Sequence, residues 1–270
     1  MPELPEVENV RRGLNKVLPH AQIEDVEVKW AKIINCPPQV FREAMVGETF
    51  ERVDRYGKYL FFYWSDYAWI SHLRMEGKYF VCDRQTPVLK HSHLICHLGD
   101  GRDLRYYDVR KFGRISLFSR QDMPQAIENL KLGPEPWDIS LKQFQKILAA
   151  SKRPIKSLIL DQQKIAGIGN IYADESLFQA GIYPGRPANS LTDQETLLLL
   201  EAMRDILSRA VDLGGSSVRT YQNTLGEDGQ YQNYLKVYQR QGQACLNCGT
   251  TIEKIKLGQR GTHFCPNCQK

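Results

Sequence analysis

The chain has 270 residues, and 42% hydrophobic with 25% charged residues is the balance of an ordinary globular protein, which excludes disordered, collagen-like and coiled-coil classes. That length predicts two domains rather than one. No apolar run approaches the ~20 residues that span a bilayer, and the opening MPELPEVENVRRG carries acids where a secretory signal has a basic flank, so cytoplasmic residence is expected. The net charge of +5 is modest, but seven Lys and Arg face three acids from Ser217 onward, which places +4 of it in the last fifth of the chain. A basic module on a nearly neutral body is the pattern that meets a polyanion.

In chain order, Val7, Val10, Leu14, Val17 and Leu18 recur at helical spacing and predict an amphipathic helix beginning just after Pro5 and ending before Pro19. Seven β-branched and aromatic runs follow (VEVKW, YLFFYW, YAWISHL, KYFVC, HLICHL, LRYYD and RISLF), separated by Gly, Asp and Pro, and predict a β-sandwich or barrel. A linker over 121–138 carries Pro124, Gly133, Pro134 and Pro136. Helical periods then cover 141–150, 155–162, 170–180 and 192–213, the last stopped by Gly214-Gly215. The expected fold is therefore α+β and multidomain: an N-terminal β-sandwich with an N-terminal helix over 1–120, a helical domain over 139–234, and a C-terminal zinc-finger β-hairpin over 235–270.

The zinc expectation rests on cysteine spacing. Seven cysteines is an odd number and argues against a disulfide framework. Cys245-x2-Cys248, sixteen residues, then Cys265-x2-Cys268 fits two knuckles supplying four thiolates to one tetrahedral ion. Four Cys ligands leave no open position, so the metal is structural, and 251–257 with a turn at Gly261 reads as the pinned hairpin. Cys36, Cys82 and Cys96 read as small packing residues.

Met1 precedes Pro2, a residue after which initiator methionine is normally removed, so the mature chain is expected to begin with a secondary amine. With a reference pKa of ~7.7–8, roughly a tenth or more of an α-amine is neutral at pH 7, far more than of a lysine side chain. Such an amine can attack a sugar C1′ and form an iminium ion, with Glu3 and Glu6 at hand to move protons. The bland alternative stays open on these residues alone, because acids at a helix N-terminus also complement the dipole.

The run PELPEVE followed by an amphipathic helix resembles the start of the formamidopyrimidine-DNA glycosylases, bacterial repair enzymes that excise oxidised purines. HLRMEG (72–77), DVRKFG (108–113), LGPEP (132–136), AGIGNIYADE (166–175), GGSSVRTY (214–221) and RGTHFCPNCQ (260–269) look like that family in its order, over essentially the whole chain. One departure is Val109, where many relatives have proline. The resemblance implies a bifunctional DNA glycosylase and apurinic/apyrimidinic lyase that removes 8-oxoguanine and formamidopyrimidines, then nicks the strand by β,δ-elimination.

By the same resemblance Pro2 is the nucleophile, Glu3 the proton donor or acceptor, Lys58 a second base, and Arg260 a further member of the catalytic set. DNA contacts fall to His91, Arg110, Lys156, Asn170, Arg260, Met75 and Phe112. Lesion recognition falls to Glu6, Glu76, Ser217, Arg219, Thr220 and Tyr221, the last four in a loop over 217–238. An enzyme that extrudes a base must fill the hole. Met75 can occupy the void, Phe112 can wedge into the stack, and Arg110 can donate to the orphaned cytosine.

Taken alone, the same residues read otherwise: Lys58 as a solvated turn lysine, Met75 and Phe112 as core, Arg110 as a strand-end charge, Lys156 as an exposed helix lysine, Arg260 as a solvated turn arginine. Gly167-Ile168-Gly169 before a helix at Asn170 can turn backbone N–H groups toward a phosphate. No strand is predicted ahead of it, which excludes a Rossmann reading. The implied cofactor is one structural zinc with no redox or nucleotide group. The implied partner is damaged double-stranded DNA, with no membrane, for a monomer at the nucleoid. The competing readings are an endonuclease VIII-like glycosylase for oxidised pyrimidines, against which Leu4 and the 217–238 loop argue, and a non-enzymatic zinc DNA-binding protein.

Overall fold

The computed structural model describes residues 2–217, 226 and 228–270. They form two compact units, one from the described residues of 1–131 and 213–230, the other from 132–212 and 231–270. The boundary thus returns the described residues of 213–230 to the first unit.

The first unit runs α1 (Leu4–Val17), β1 (Ile23–Val28), α2 (Pro38–Met45), β2 (Phe50–Tyr56), β3 (Tyr59–Trp64), β4 (Tyr67–His72), β5 (Lys78–Asp83), β6 (Ser92–Leu98), β7 (Arg102–Tyr107), β8 (Arg114–Ser119) and α3 (Met123–Glu128). Two antiparallel four-stranded sheets, β1-β6-β7-β5 and β2-β3-β4-β8, face one another. Their inner residues, among them Val26, Leu94 and Leu104 from one and Val53, Phe62, Trp64 and Trp69 from the other, belong to a single core that also takes Val7, Val10 and Leu14 of α1. The opposite face of the second sheet is covered too, where Phe61, Ala68 and Ile70 pack against Met123 and Ala126 of α3. Burial on both faces explains why YLFFYW is a continuous apolar run rather than an alternating one.

All seven expected strands form; three elements were not anticipated. β2 (FERVDRY) buries only Phe50 and Val53, and its charged residues hide the strand signal. α2 buries just Phe41 and Met45, one turn apart. α3 lies inside the stretch read as a linker, because Pro124 falls in its first turn, where proline starts a helix rather than breaking it.

The second unit holds α4 (Leu141–Ala149), α5 (Ile155–Ile159), α6 (Asn170–Gln179), α7 (Asp193–Asp212), β9 (Glu253–Leu257) and β10 (Arg260–Phe264). Ser140 and Gln143 cap α4 reciprocally. α6 is buried all round, from Ile171 to Phe178, and forms the centre of this unit. Pairing of Leu257 with Arg260 leaves Gly258-Gln259 as a two-residue turn, both at positive φ (50° and 67°), the backbone that closes a twisted hairpin. The turn glycine is therefore Gly258, not Gly261, which sits inside β10 opposite Lys256. No helix among the described residues is long and apolar enough to cross a membrane.

Candidate functional site

In the first unit, chemistry gathers at the start of α1. Pro2 is buried and Glu3 is 2% exposed. Glu6, at the third helical position, closes a capping box with Glu3: its Oε2 accepts the Glu3 N–H at 2.8 Å. Its Oε1 accepts the Ser216 N–H at 2.7 Å. One buried carboxylate thus fixes the backbone next to Pro2 and the strand of chain leading into the 217–238 loop. Ser217 is half-buried, and its Oγ accepts the Gly229 N–H at 2.9 Å. Arg219, Thr220 and Tyr221 lie outside the described residues.

Lys58 occupies the two-residue turn between β2 and β3, against which α1 packs. It is 5% exposed, which corrects the reading of a solvated turn lysine. A relay from α1 holds this turn: Arg55 donates to Glu8 Oε2 at 3.1 Å and, through Nη1, to the Gly57 carbonyl at 3.1 Å. Arg11 and Arg12 also bind Glu8, at 2.7 and 2.9 Å. Burial pushes the Glu8 carboxyl up, but hydrogen bonds and charge from Arg11, Arg55 and Arg12 outweigh it and hold the pKa at about 2.

His72 carries a role the sequence reading passed over, although HLRMEG begins with it. It pairs with Tyr59 across β4 and β3, and the rings meet edge-on at 4.5 Å. Burial, with the charges of Arg74 and Lys58, depresses its pKa to about 3, so the ring is neutral. Its Nδ1 accepts the Arg74 N–H at 2.9 Å, which assigns the proton to Nε2 as a donor.

Two further loops carry the expected void-filling residues. Leu73 to Gly77 presents Met75 and Glu76, both half-buried. In the other, Asp108 is fully buried and its carboxylate gathers the N–H groups of Arg110 (3.0 Å), Phe112 (2.9 Å) and Gly113 (2.8 Å). This folds the loop outward, leaving Arg110 exposed and Phe112 49% exposed, the two in cation–π contact at 4.8 Å. Phe112 is not a core residue, which overturns what periodicity alone predicts. His91 is half-buried behind this loop, and its carbonyl accepts the Asp108 N–H at 3.0 Å. Asp108 was missed as the organiser because an Asp opening a turn is an ordinary feature of sequence.

In the second unit, the residues of AGIGNIYADE converge on the hairpin. Lys156 is 1% exposed, with Nζ 2.7 Å from Asp174 Oδ1, 2.8 Å from Thr262 Oγ1 and 3.0 Å from the Gly261 carbonyl. The reading of Lys156 as an exposed helix lysine is corrected: its ammonium is buried among partners within the protein. Asn170 Nδ2 donates to the same Gly261 carbonyl at 3.0 Å. Asp174 also accepts the His263 backbone N–H at 2.9 Å, and Glu175 takes the N–H groups of Lys236, Val237 and Tyr238 at 2.8, 3.0 and 2.8 Å. Next to the doubly bound Gly261 carbonyl stands Arg260, exposed at the first position of β10.

The sulfurs of Cys245, Cys248, Cys265 and Cys268 all lie within 4.8 Å of one another, with Cys245–Cys268 at 3.9 Å and Cys248–Cys265 at 3.5 Å. Tetrahedral zinc at ~2.3 Å from each sulfur puts them ~3.8 Å apart, so the four fit that ion. Cys245 and Cys265 share a small core with Phe178 of α6, Val237 and Ile252, which ties the metal end to the helix that bears Asp174. Of the remaining cysteines, Cys96 is fully buried in the sandwich core and Cys36 packs against it.

Comparison with known proteins agrees with this arrangement along its length. Residues 1–115 match the formamidopyrimidine-DNA glycosylase N-terminal domain, 132–222 the formamidopyrimidine-DNA glycosylase H2TH domain, and 242–270 the zinc finger found in FPG and IleRS. A formamidopyrimidine-DNA glycosylase of Streptococcus pneumoniae is 48% identical over 272 residues, covering 100% of this chain and 99% of its own. Two Lactococcus lactis structures, an FPG mutant with Fapy-dG containing DNA and Fpg with an abasic site containing DNA, each align with a TM-score of 0.95 at 42% identity over 100% of both chains. The chain belongs to the formamidopyrimidine-DNA glycosylase family.

Proposed function

We propose that this protein is a bifunctional DNA glycosylase and lyase that excises oxidised purines from duplex DNA in base excision repair, with Pro2 as nucleophile. The observation that carries the reading is the burial of Pro2 and Glu3 at a capped helix start, on a helix that packs against β2 and β3, the strands whose connecting turn holds the buried Lys58. Removal of Met1 turns this nitrogen into a secondary amine whose neutral form carries the attacking lone pair.

In the proposed reaction the neutral proline nitrogen forms a bond to C1′ while the glycosidic bond breaks, and the departing base takes the electron pair and a proton. Opening of the deoxyribose ring leaves the iminium ion, with Glu3 positioned to give and take protons. Removal of a C2′ proton expels the 3′ phosphate, and a second elimination expels the 5′ phosphate. Lys58 serves as the second base. The neutral His72 offers a donor beside it that does not compete as a charge.

Met75, Phe112 and Arg110 fill the space of the extruded nucleotide and meet the orphaned cytosine, with His91 behind the loop that bears Arg110 and Phe112. Asn170 and Arg260 hold phosphate, and Lys156 acts through Gly261. Glu6 and Ser217 hold the start of the lesion loop, to which Arg219, Thr220 and Tyr221 belong, and lesion recognition is assigned to these residues and to Glu76 of the Met75 loop by family resemblance. Zinc, bound by the four cysteines, supplies shape to the Arg260 hairpin and no chemistry. On this reading the protein is a cytoplasmic monomer that meets its duplex substrate at the nucleoid.

Borohydride trapping on an 8-oxoguanine duplex, read by intact mass, is the test. A covalent adduct on a chain lacking Met1 is expected, and Pro2→Gly should abolish it. No adduct, or one that survives Pro2→Gly, overturns the mechanism. Faster excision of thymine glycol than of 8-oxoguanine would transfer the protein to the pyrimidine branch.

A further inference from the structure

Tyr106 stands in β7, between β6 and β5, its ring wholly buried and 5.0 Å from that of Tyr79. Its hydroxyl is buried with no hydrogen-bond partner among the described residues. A buried phenol ordinarily finds one, and a Phe here would fill the core without an orphaned polar atom. What the oxygen touches is two glycines. A methyl built on Gly77 would lie 2.1 Å from it, and one built on Gly113 would lie 1.7 Å away. Gly77 closes the loop bearing Met75, its N–H on the Leu73 carbonyl at 2.9 Å. Gly113 closes the loop bearing Arg110 and Phe112, its N–H on Asp108. The hydroxyl oxygen, backed by the ring carbon that bears it at 2.9 and 2.7 Å, therefore reaches into the Cβ space of both loop ends, a space that at Gly77 the Leu73 carbonyl also enters at 2.6 Å.

We propose that Tyr106 is a positioning residue that sets the spacing between the Met75 loop and the Arg110–Phe112 loop, and thereby governs discrimination of the base opposite the lesion. The proposal rests on the glycosylase reading above, in which the three side chains enter one gap in the DNA. Residues that act together need relative placement to within ~0.5 Å, and neither loop supplies that alone. Each contains a non-glycine residue at positive φ, Arg74 at 54° and Lys111 at 59°, a conformation that persists only where surroundings impose it. A tyrosine rooted in an inner strand is a rigid spacer, and its burial raises the phenol pKa, so it presents a neutral oxygen to both loops.

Tyr106→Phe removes no hydrogen bond among the described residues and should fold as the parent does. Its ratio of 8-oxoguanine excision opposite cytosine to that opposite adenine should fall by about tenfold, the size of one lost base-edge contact, while cleavage of a preformed abasic site keeps the parental rate. Gly113→Ala, whose methyl collides with the hydroxyl, should also lower the ratio, and adding Tyr106→Phe should restore part of it. A parental ratio in Tyr106→Phe, an equal loss of abasic-site cleavage, or a Gly113→Ala defect untouched by the second substitution overturns the proposal. Failure of the parental protein to be trapped overturns the glycosylase reading itself. Normal trapping with an unchanged ratio overturns only the role of Tyr106.

Discussion

Carboxylates in the first turns of α1 do unlike work although they are spaced only a few residues apart. Glu3 adjoins Pro2, Glu6 brackets two backbone N–H groups, and Glu8 gathers three arginines to hold the Lys58 turn. The family motif makes Glu3 legible in the sequence; the partners of Glu6 and Glu8 are not, because Ser216 and Arg55 are distant in the chain. Glu8 lends itself to a pH test. Its carboxyl is held at about 2 in the folded state against an ordinary value of 4.5, so its contribution to stability is complete above pH 4.5 and fades as pH falls toward 2. The full shift is worth about 3 kcal/mol, and with Arg11 and Arg12 partly open to solvent Glu8→Gln should cost about 2 kcal/mol at neutral pH. In urea unfolding the gap between parent and variant should narrow below pH 4.5; a gap independent of pH would remove the arginine cluster as its cause.

Elements show where periodicity succeeds and where it misleads. α1 and α7 have one buried stripe, and the predicted helices lie within two residues of the observed ones. α5 stops at Ile159, three residues short of the prediction, and β2 was invisible because only two of its side chains face the core. The hairpin β9–β10 was foreseen from cysteine spacing, yet its attachment was not. A buried ion pair between Lys156 and Asp174 joins α5 and α6 to Thr262 and His263. Removing one partner strands a charge, so Lys156→Ala should destabilise by about 3–5 kcal/mol. Amide exchange should speed up in β10 before it does in the sandwich strands, and DNA affinity should drop although this ammonium lies inside the protein. Unaltered exchange in β10 would show that the pair does not hold the hairpin.

At the scale of the molecule, a net charge of +5 is too small to grip DNA diffusely, and the excess is concentrated beyond residue 216. Binding should weaken with salt along a shallow slope, and Arg260→Ala should reduce that slope by about one unit of log K per log salt. An unchanged slope in a salt titration would take Arg260 off the phosphate. The two-domain expectation, the four zinc cysteines and the strand-rich first half were legible in the sequence, because they depend on length, local spacing and residue chemistry. Tertiary structure alone decided that Lys58 and Lys156 are buried, that Phe112 is exposed, that the described residues of 213–230 belong with the N-terminal unit, and that one tyrosine oxygen lies between two loops. Burial and contact between residues far apart in the chain follow from how sheets and helices close on one another, and no local pattern encodes that closure.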